Sequence, residues 1–150
     1  MSDTSGVNRE VAAAYTNRIL EGFQQADTPD ARQQWAQTVI DAFKEDGFNP
    51  TEVRAARVAA GTLLGMADDR KAQVGELDEA IEAFSQQIDM LERNGADDGP
   101  NTQLGRLKQR LDSAERGRDF NASLLQDLTA DSEAAVSMVR EILAEQSAGK

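Results

Sequence analysis

Cysteine and histidine are both absent from this 150-residue chain. Without cysteine there is no disulfide framework and no thiolate to act as nucleophile or ligand. Without histidine there are no imidazole metal ligands, no Ser-His-Asp triad and no histidine proton relay. Aromatic residues are few, with five Phe, one Trp and one Tyr. Long apolar runs are missing as well. The longest, around Gly61 to Ala67, falls far short of the roughly 20 residues that cross a bilayer. Met1 to Glu10 has neither a basic start nor an apolar stretch, so no classical secretory signal is expected. The expected location is the cytoplasm or a larger assembly into which the chain is built.

Basic charge is also in short supply. Sixteen Lys and Arg stand against twenty-seven Asp and Glu, giving a net charge of −11 and a pI near 4.4. Nucleic acid and anionic membranes attract the opposite balance, so neither a nucleic-acid partner nor membrane insertion is expected. An acidic chain favours solubility and basic protein partners.

What the chain does have is helical composition, rich in Ala, Gln, Glu, Leu and Arg. Its three prolines, at positions 29, 50 and 100, act as punctuation. Asn8 to Gln25 reads as a first helix, capped by Ser5 or Asn8, with Val11, Tyr15, Ile19 and Phe23 on one face. Thr28-Pro29-Asp30 starts a second, which runs to about Asp46 with Trp35, Val39 and Phe43 on its buried stripe; Gly47 stops it. Asn49-Pro50-Thr51-Glu52 opens a third in the same style.

From Val53 onward apolar residues alternate by threes and fours through Leu63, Leu77, Phe84, Ile88 and Leu91. The turn residues of segment 94–100 follow, and the rhythm resumes through Leu104, Leu111, Leu125, Val139 and Ile142. Two heptad stretches of equal length around one loop predict an antiparallel coiled-coil hairpin, about 51–93 and 101–146. Folding back on the loop pairs Leu91 with Leu104, Phe84 with Leu111, Leu77 with Arg118, and Val53 with Ile142. The outgoing arm is acidic near the loop and the returning arm more basic, which favours their pairing.

Extra off-seam apolar residues appear near the end of the hairpin far from the loop: Val58, Leu64 and Met66 on one arm, and Leu124, Val136, Met138 and Leu143 on the other. A helix apolar on several faces needs several neighbours. The expected fold is therefore all-α: a single helical domain over 1–150, in which the helix pair of 8–48 packs at the base of the 51–146 hairpin as a four-helix bundle. Gly61 and Gly65, among Ala55, Ala56, Ala59 and Ala60, are expected to let the first two helices approach closely.

Two places invite a functional reading. Asp89, Glu92, Asp97 and Asp98 gather at the tip loop 94–100, where a carboxylate cluster could read a basic partner. The same loop residues are also the ordinary vocabulary of turns. Farther from the tip, Arg70, Arg118 and Asn121 interrupt the apolar seam beside the mid-helix glycines Gly75 and Gly117. That level reads either as a hinge or close-approach point for another helix, or as a polar layer fixing register. The basic residues Arg106, Lys108, Arg110, Arg116 and Arg118 have almost no aromatic neighbours, and the acidic arm is their expected partner.

No base–nucleophile constellation and no Ca²⁺-loop spacing stand out, so no catalytic residue, metal or cofactor is expected. The expected function is that of a non-enzymatic structural or adaptor protein, presenting helical surfaces to a basic or helical protein partner. The Arg/Ala/Gln-rich acidic character and the lack of Cys point to a bacterial or bacteriophage assembly. Self-association is compatible with a four-helix base shared between chains. One rival is a secretion-associated effector or chaperone. Another is a regulator that inserts its acidic tip into an enzyme channel such as that of RNA polymerase.

Overall fold

A computed structural model describes residues 7–148. Among the described residues the chain is all-helical, with 87% helix and no strand. Its helices are α1 (Arg9–Gln25), α2 (Pro29–Glu45), α3 (Pro50–Arg93) and α4 (Gln103–Ala148). The expected boundaries hold to within two residues at each end.

Local chemistry sets those boundaries. Asn8 caps α1 by accepting the Val11 N–H, and Thr28 caps α2 by accepting the Ala31 N–H ahead of Pro29. Ser5, the other candidate cap, lies outside the described residues. At the end of α2, Gly47 takes φ +75° and the Phe48 N–H reaches back to the Phe43 carbonyl at 2.8 Å. That is a Schellman closure, which a left-handed glycine permits without strain. Phe48 itself is left-handed (φ +52°), and its buried ring offsets that cost. Asn49 and Glu52 then form a reciprocal capping box: the Glu52 N–H donates to Asn49 Oδ1, and Asn49 Nδ2 donates to Glu52 Oε1, both at 2.9 Å.

The chain divides into two compact units. The four-helix unit comprises residues up to Ala67 and from Asp127 onward; the two-helix unit is Asp68–Gln126.

In the four-helix unit, Ile19 and Phe23 of α1, Val39, Ile40 and Phe43 of α2, Leu63 of α3, and Met138 and Ile142 of α4 form one core. Phe23, Leu63 and Ile142 are completely buried. Burying each such side chain contributes roughly 1.5–3 kcal/mol before chain entropy is charged against it. The buried stripe of α1 is Ala12, Thr16, Ile19 and Phe23, turned one residue from the expected Val11–Tyr15 line, and Val11 faces solvent. Small residues win the inner position because α1 lies close to α3: Thr16 Oγ1 reaches the Ala55 carbonyl at 3.4 Å. Ala55, Ala56, Ala59 and Ala60 supply that close approach, all buried.

Gly61 and Gly65 do not, which corrects the expectation for them. Both are exposed, and a Cβ added at either would meet nothing within 4 Å. Val58, Leu64, Met66 and Leu143, expected to be covered by the first two helices, are exposed as well. The close-packing glycine of this unit is Gly22, where a Cβ would overlap the Trp35 ring.

The two-helix unit has a single narrow seam. Ile88, Leu104 and Leu107 are buried, with Phe84, Leu91 and Leu111 packed around them. These are the pairs that folding back on the loop predicts. Gly117 lies opposite Leu77, whose Cδ1 stands 4.0 Å from a Cβ built there, so the same register persists along the seam.

Candidate functional site

The hairpin loop is built by its caps. Gly95, at φ +74°, closes α3 with Ala96 N–H to Leu91 O at 3.0 Å and Gly95 N–H to Glu92 O at 3.1 Å. Thr102 opens α4, its hydroxyl accepting the Gly105 N–H at 3.0 Å. The loop then lies so close over the first turn of α4 that a Cβ on Gly105 would overlap the Gly99 carbonyl. No side chain larger than glycine fits there without moving the backbone.

The four acidic residues expected at the tip separate into two pairs. Lys108 Nζ contacts Asp98 Oδ2 at 2.8 Å and Glu92 Oε2 at 3.2 Å. Its ammonium pKa is raised, chiefly through the hydrogen bonds to Asp98 and Glu92. These two acids are thus engaged within the chain, tying the end of α3 and the loop to α4. Asp89 and Asp97 are exposed and, among the described residues, pair with no cation. A charge-reading tip reduces to those two carboxylates.

The polar level resolves as two separate contacts. Arg70 Nη1 donates to Asn121 Oδ1, and Asn121 Nδ2 donates to the Gly117 carbonyl at 2.7 Å. This chain of bonds crosses from α3 to α4 and satisfies Asn121 in both directions, as a register-fixing layer requires. Arg118 turns outward to Asp78 at 2.8 Å, leaving the layer. Its guanidinium pKa is raised, first by that hydrogen bond. Gly75 is exposed with open space where a Cβ would be. The expectation of a helix approaching closely at Gly75 is not met among the described residues.

Two features of the four-helix unit escaped the sequence reading. The first is a buried ion pair. Arg32 Nε donates to Asp131 Oδ1 at 2.7 Å, and both side chains are almost fully enclosed. Burial pushes the Asp131 carboxyl up, against the opposing pull of Arg32. Asp127 stands farther off, at 3.8 Å, and is largely exposed. A clue was available: Arg32 occupies the apolar stripe of α2, one turn before Ala36.

The second is Glu52. It is 2% exposed although it belongs to a capping box. Burial first, then its hydrogen bond and repulsion with Asp46, push its carboxyl from 4.5 up to about 7. It borders a cleft of about 390 Å³ walled by Tyr15, Ile19, Trp35, Val39 and Phe43, with Arg18 and Asp46 at the rim. The cleft is ordered by Tyr15 and Phe43, ring centroids 5.9 Å apart and edge to face, and by Trp35 Nε1 donating to the Ile19 carbonyl at 3.0 Å. The capping box, the Schellman closure and these rings together fix the α2–α3 corner.

Two open surfaces complete the four-helix unit. One is the outer face of α3, with Arg54, Val58, Gly61, Leu64 and Gly65. The other is a groove of about 810 Å³ between α2 and α4, floored by Ala36, Ile40, Ala134 and Met138 and rimmed by Asp30, Glu133 and Glu141. Among the described residues no group of three or more Asp or Glu is arranged to hold a metal ion. No helix among them is long and apolar enough to cross a membrane.

No family model matches the chain, nor does any curated protein or solved structure.

Proposed function

We propose that this chain is a non-enzymatic structural or adaptor protein that presents helical surfaces to other proteins in a bacterial or bacteriophage assembly. The observation that supports this reading most directly is the outer face of α3. Val58 and Leu64 are 42% and 45% exposed there, beside two glycines that, among the described residues, have nothing within 4 Å of where a Cβ would stand. A helix that packs its alanines inward and leaves valine, leucine and glycine outward has a face suited to a further helix. Single exposed apolar residues are commonplace, but a strip of them on one helix beside open glycines is a docking geometry.

The test is capture from the host with the wild-type chain and with Val58→Glu/Leu64→Glu as bait, followed by identification of the bound proteins. Specific partners held by the wild type and lost by the variant are expected. An identical set of proteins on both baits removes the α3 face from the reading.

A second reading, insertion of the acidic tip into an enzyme channel, is favoured by Asp89 and Asp97, exposed carboxylates that hold no ion pair among the described residues. Internal pairing of Glu92 and Asp98 with Lys108 weighs against it. Asp89→Lys combined with Asp97→Lys should abolish such binding and leave the fold intact, because both side chains are exposed and hold no ion pair among the described residues. Unchanged affinity for a captured partner eliminates the tip.

A further inference from the structure

Two surfaces of the four-helix unit complement one another in shape and in charge. On the outer face of α3, Arg54, Val58, Gly61 and Gly65 share a strip covering about a third of the helix circumference, with Arg57 and Leu64 along one edge. The strip has a flat middle, because neither glycine carries a side chain and neither has a neighbour within 4 Å of a built Cβ. Between Arg54 and Gly65 its charged residues, Arg54 and Arg57, are both basic. Arg54 and Arg57 are exposed and form no ion pair among the described residues, in a chain whose net charge is −11.

The groove between α2 and α4 is the counterpart. Its floor is small and apolar where Ala36 and Ala134 lie, and Gln33, Gln34 and Gln37 line its α2 side. Its rim is acidic, with Asp30, Glu133 and Glu141 all exposed and none in an ion pair among the described residues. A helix entering this groove must bring cations to the rim and little bulk to the floor. The outer face of α3 meets both requirements.

We propose that the outer face of α3 in one copy docks into the α2–α4 groove of a second copy. This rests on the protein-interaction reading above and names its partner as the chain itself. Small residues on both sides let two helix axes come within about 8 Å, the close end of helix packing. Arg54 and Arg57 then reach the rim carboxylates, where a guanidinium fork pairs well with a carboxylate. The interface is heterologous, since it joins two different patches. Each copy added leaves one face and one groove open, so association continues unless the geometry closes a ring. The net charge of each copy opposes this at a distance, but in about 0.15 M salt the Debye length of about 8 Å screens that repulsion and spares close contacts.

The experiment is sedimentation velocity on the full chain at near-physiological salt, from the micromolar range to several hundred micromolar. The average mass should rise above 16.3 kDa as concentration increases. R54E/R57E alters only the face and E133R/E141R only the groove rim, and each should weaken self-association by about tenfold or more. Mixing the two variants should restore association, because one retains an intact groove and the other an intact face. Gly61→Leu, which adds bulk to the strip and raises helix propensity, should block association while keeping the fold. Circular dichroism and melting of each variant establish that it is folded.

Association by either charge variant as strong as the wild type's overturns the proposal, and so does a mixture that stays monomeric. A wild-type chain that is monomeric throughout also overturns it. That last result leaves the adaptor reading standing, since capture of other proteins tests it separately.

Discussion

The four-helix unit and the two-helix unit use the same two long helices and stabilise them differently. In the four-helix unit, α3 has several neighbours, and its inner surface is mostly small, with Ala55, Ala56, Ala59, Ala60 and Ala67 buried beside Val53 and Leu63. In the two-helix unit the same helix has one partner along its length, and its seam is a line of half-buried residues such as Val74, Leu77, Ile81 and Phe84. Of the largest fully buried side chains, Phe23, Leu63, Met138 and Ile142 lie in the four-helix unit and Leu104 alone in the other. Polar groups follow the same division. Arg32, Glu52 and Asp131 are enclosed in the four-helix unit, whereas the ion pairs of the two-helix unit are solvated. The number of neighbours a helix has, more than its own propensity, decides how much each residue contributes.

That contrast can be broken most decisively at Phe23. Phe23→Ala removes a fully buried ring and should cost about 3–5 kcal/mol, read by calorimetry or chemical denaturation. A loss near zero would mean that this core relaxes freely and is not the stabilising centre.

Next comes the buried ion pair. Asp131→Ala leaves the nearly enclosed Arg32 with only the more distant Asp127 and should cost about 3 kcal/mol, while Arg32→Met with Asp131→Leu should recover most of it. The matched change in the two-helix unit, Arg118→Met, removes a solvated pair with Asp78 and should leave the melting temperature nearly unchanged. Equal effects of Asp131→Ala and Arg118→Met would erase the difference between the units.

Seam residues should have smaller, local effects. Leu111→Ala is expected to cost about 1–2 kcal/mol, since the side chain is only half-buried. Ile81→Asp or Leu111→Asp should speed hydrogen exchange through residues 68–126 and leave the four-helix amides protected. Simultaneous loss of protection in both units would show that they unfold as one.

A separate expected effect is a matter of pH. Glu52 holds its proton in the folded chain up to about 7, whereas the unfolded chain releases it near 4.5. Its contribution to stability is therefore complete below 4.5 and is lost as pH rises through about 7. Glu52→Gln keeps the capping geometry and removes the titration. The stability difference between wild type and variant should drift in the variant's favour across that window. A difference that stays flat with pH would show that Glu52 ionises in the fold as it does in water.

How far the sequence discloses this structure depends on how local the cause is. Caps and stops were legible at Asn8, Thr28, Gly47 and Gly95, because each acts through a few adjacent backbone groups. The register of the hairpin was legible because one loop and two periodic stripes leave a single way to match Leu91 with Leu104 and Phe84 with Leu111. What lay beyond reach was any choice made between distant segments. Arg32 and Asp131 are 99 positions apart, and periodicity says nothing about which carboxylate will meet a stripe arginine. The outer side of α3 was misread for a related reason. Both its alanine face and its glycine face are small, and only the placement of α1 decides which is covered. At the tip, the acidic residues were legible but not their neutralisation, because Lys108 reaches Asp98 across ten positions and a turn.

The contact between Trp35 and Gly22 makes the molecule its own optical instrument. Trp35 is the chain's single tryptophan, half-buried over a glycine that admits no larger residue and bonded through its indole N–H to the Ile19 carbonyl. Its emission therefore reports whether α1 and α2 are docked and is blind to the state of residues 68–126, which contain no tryptophan. Ellipticity at 222 nm, by contrast, sums over all four helices. Recording both signals on one sample separates the melting of the two units without any label.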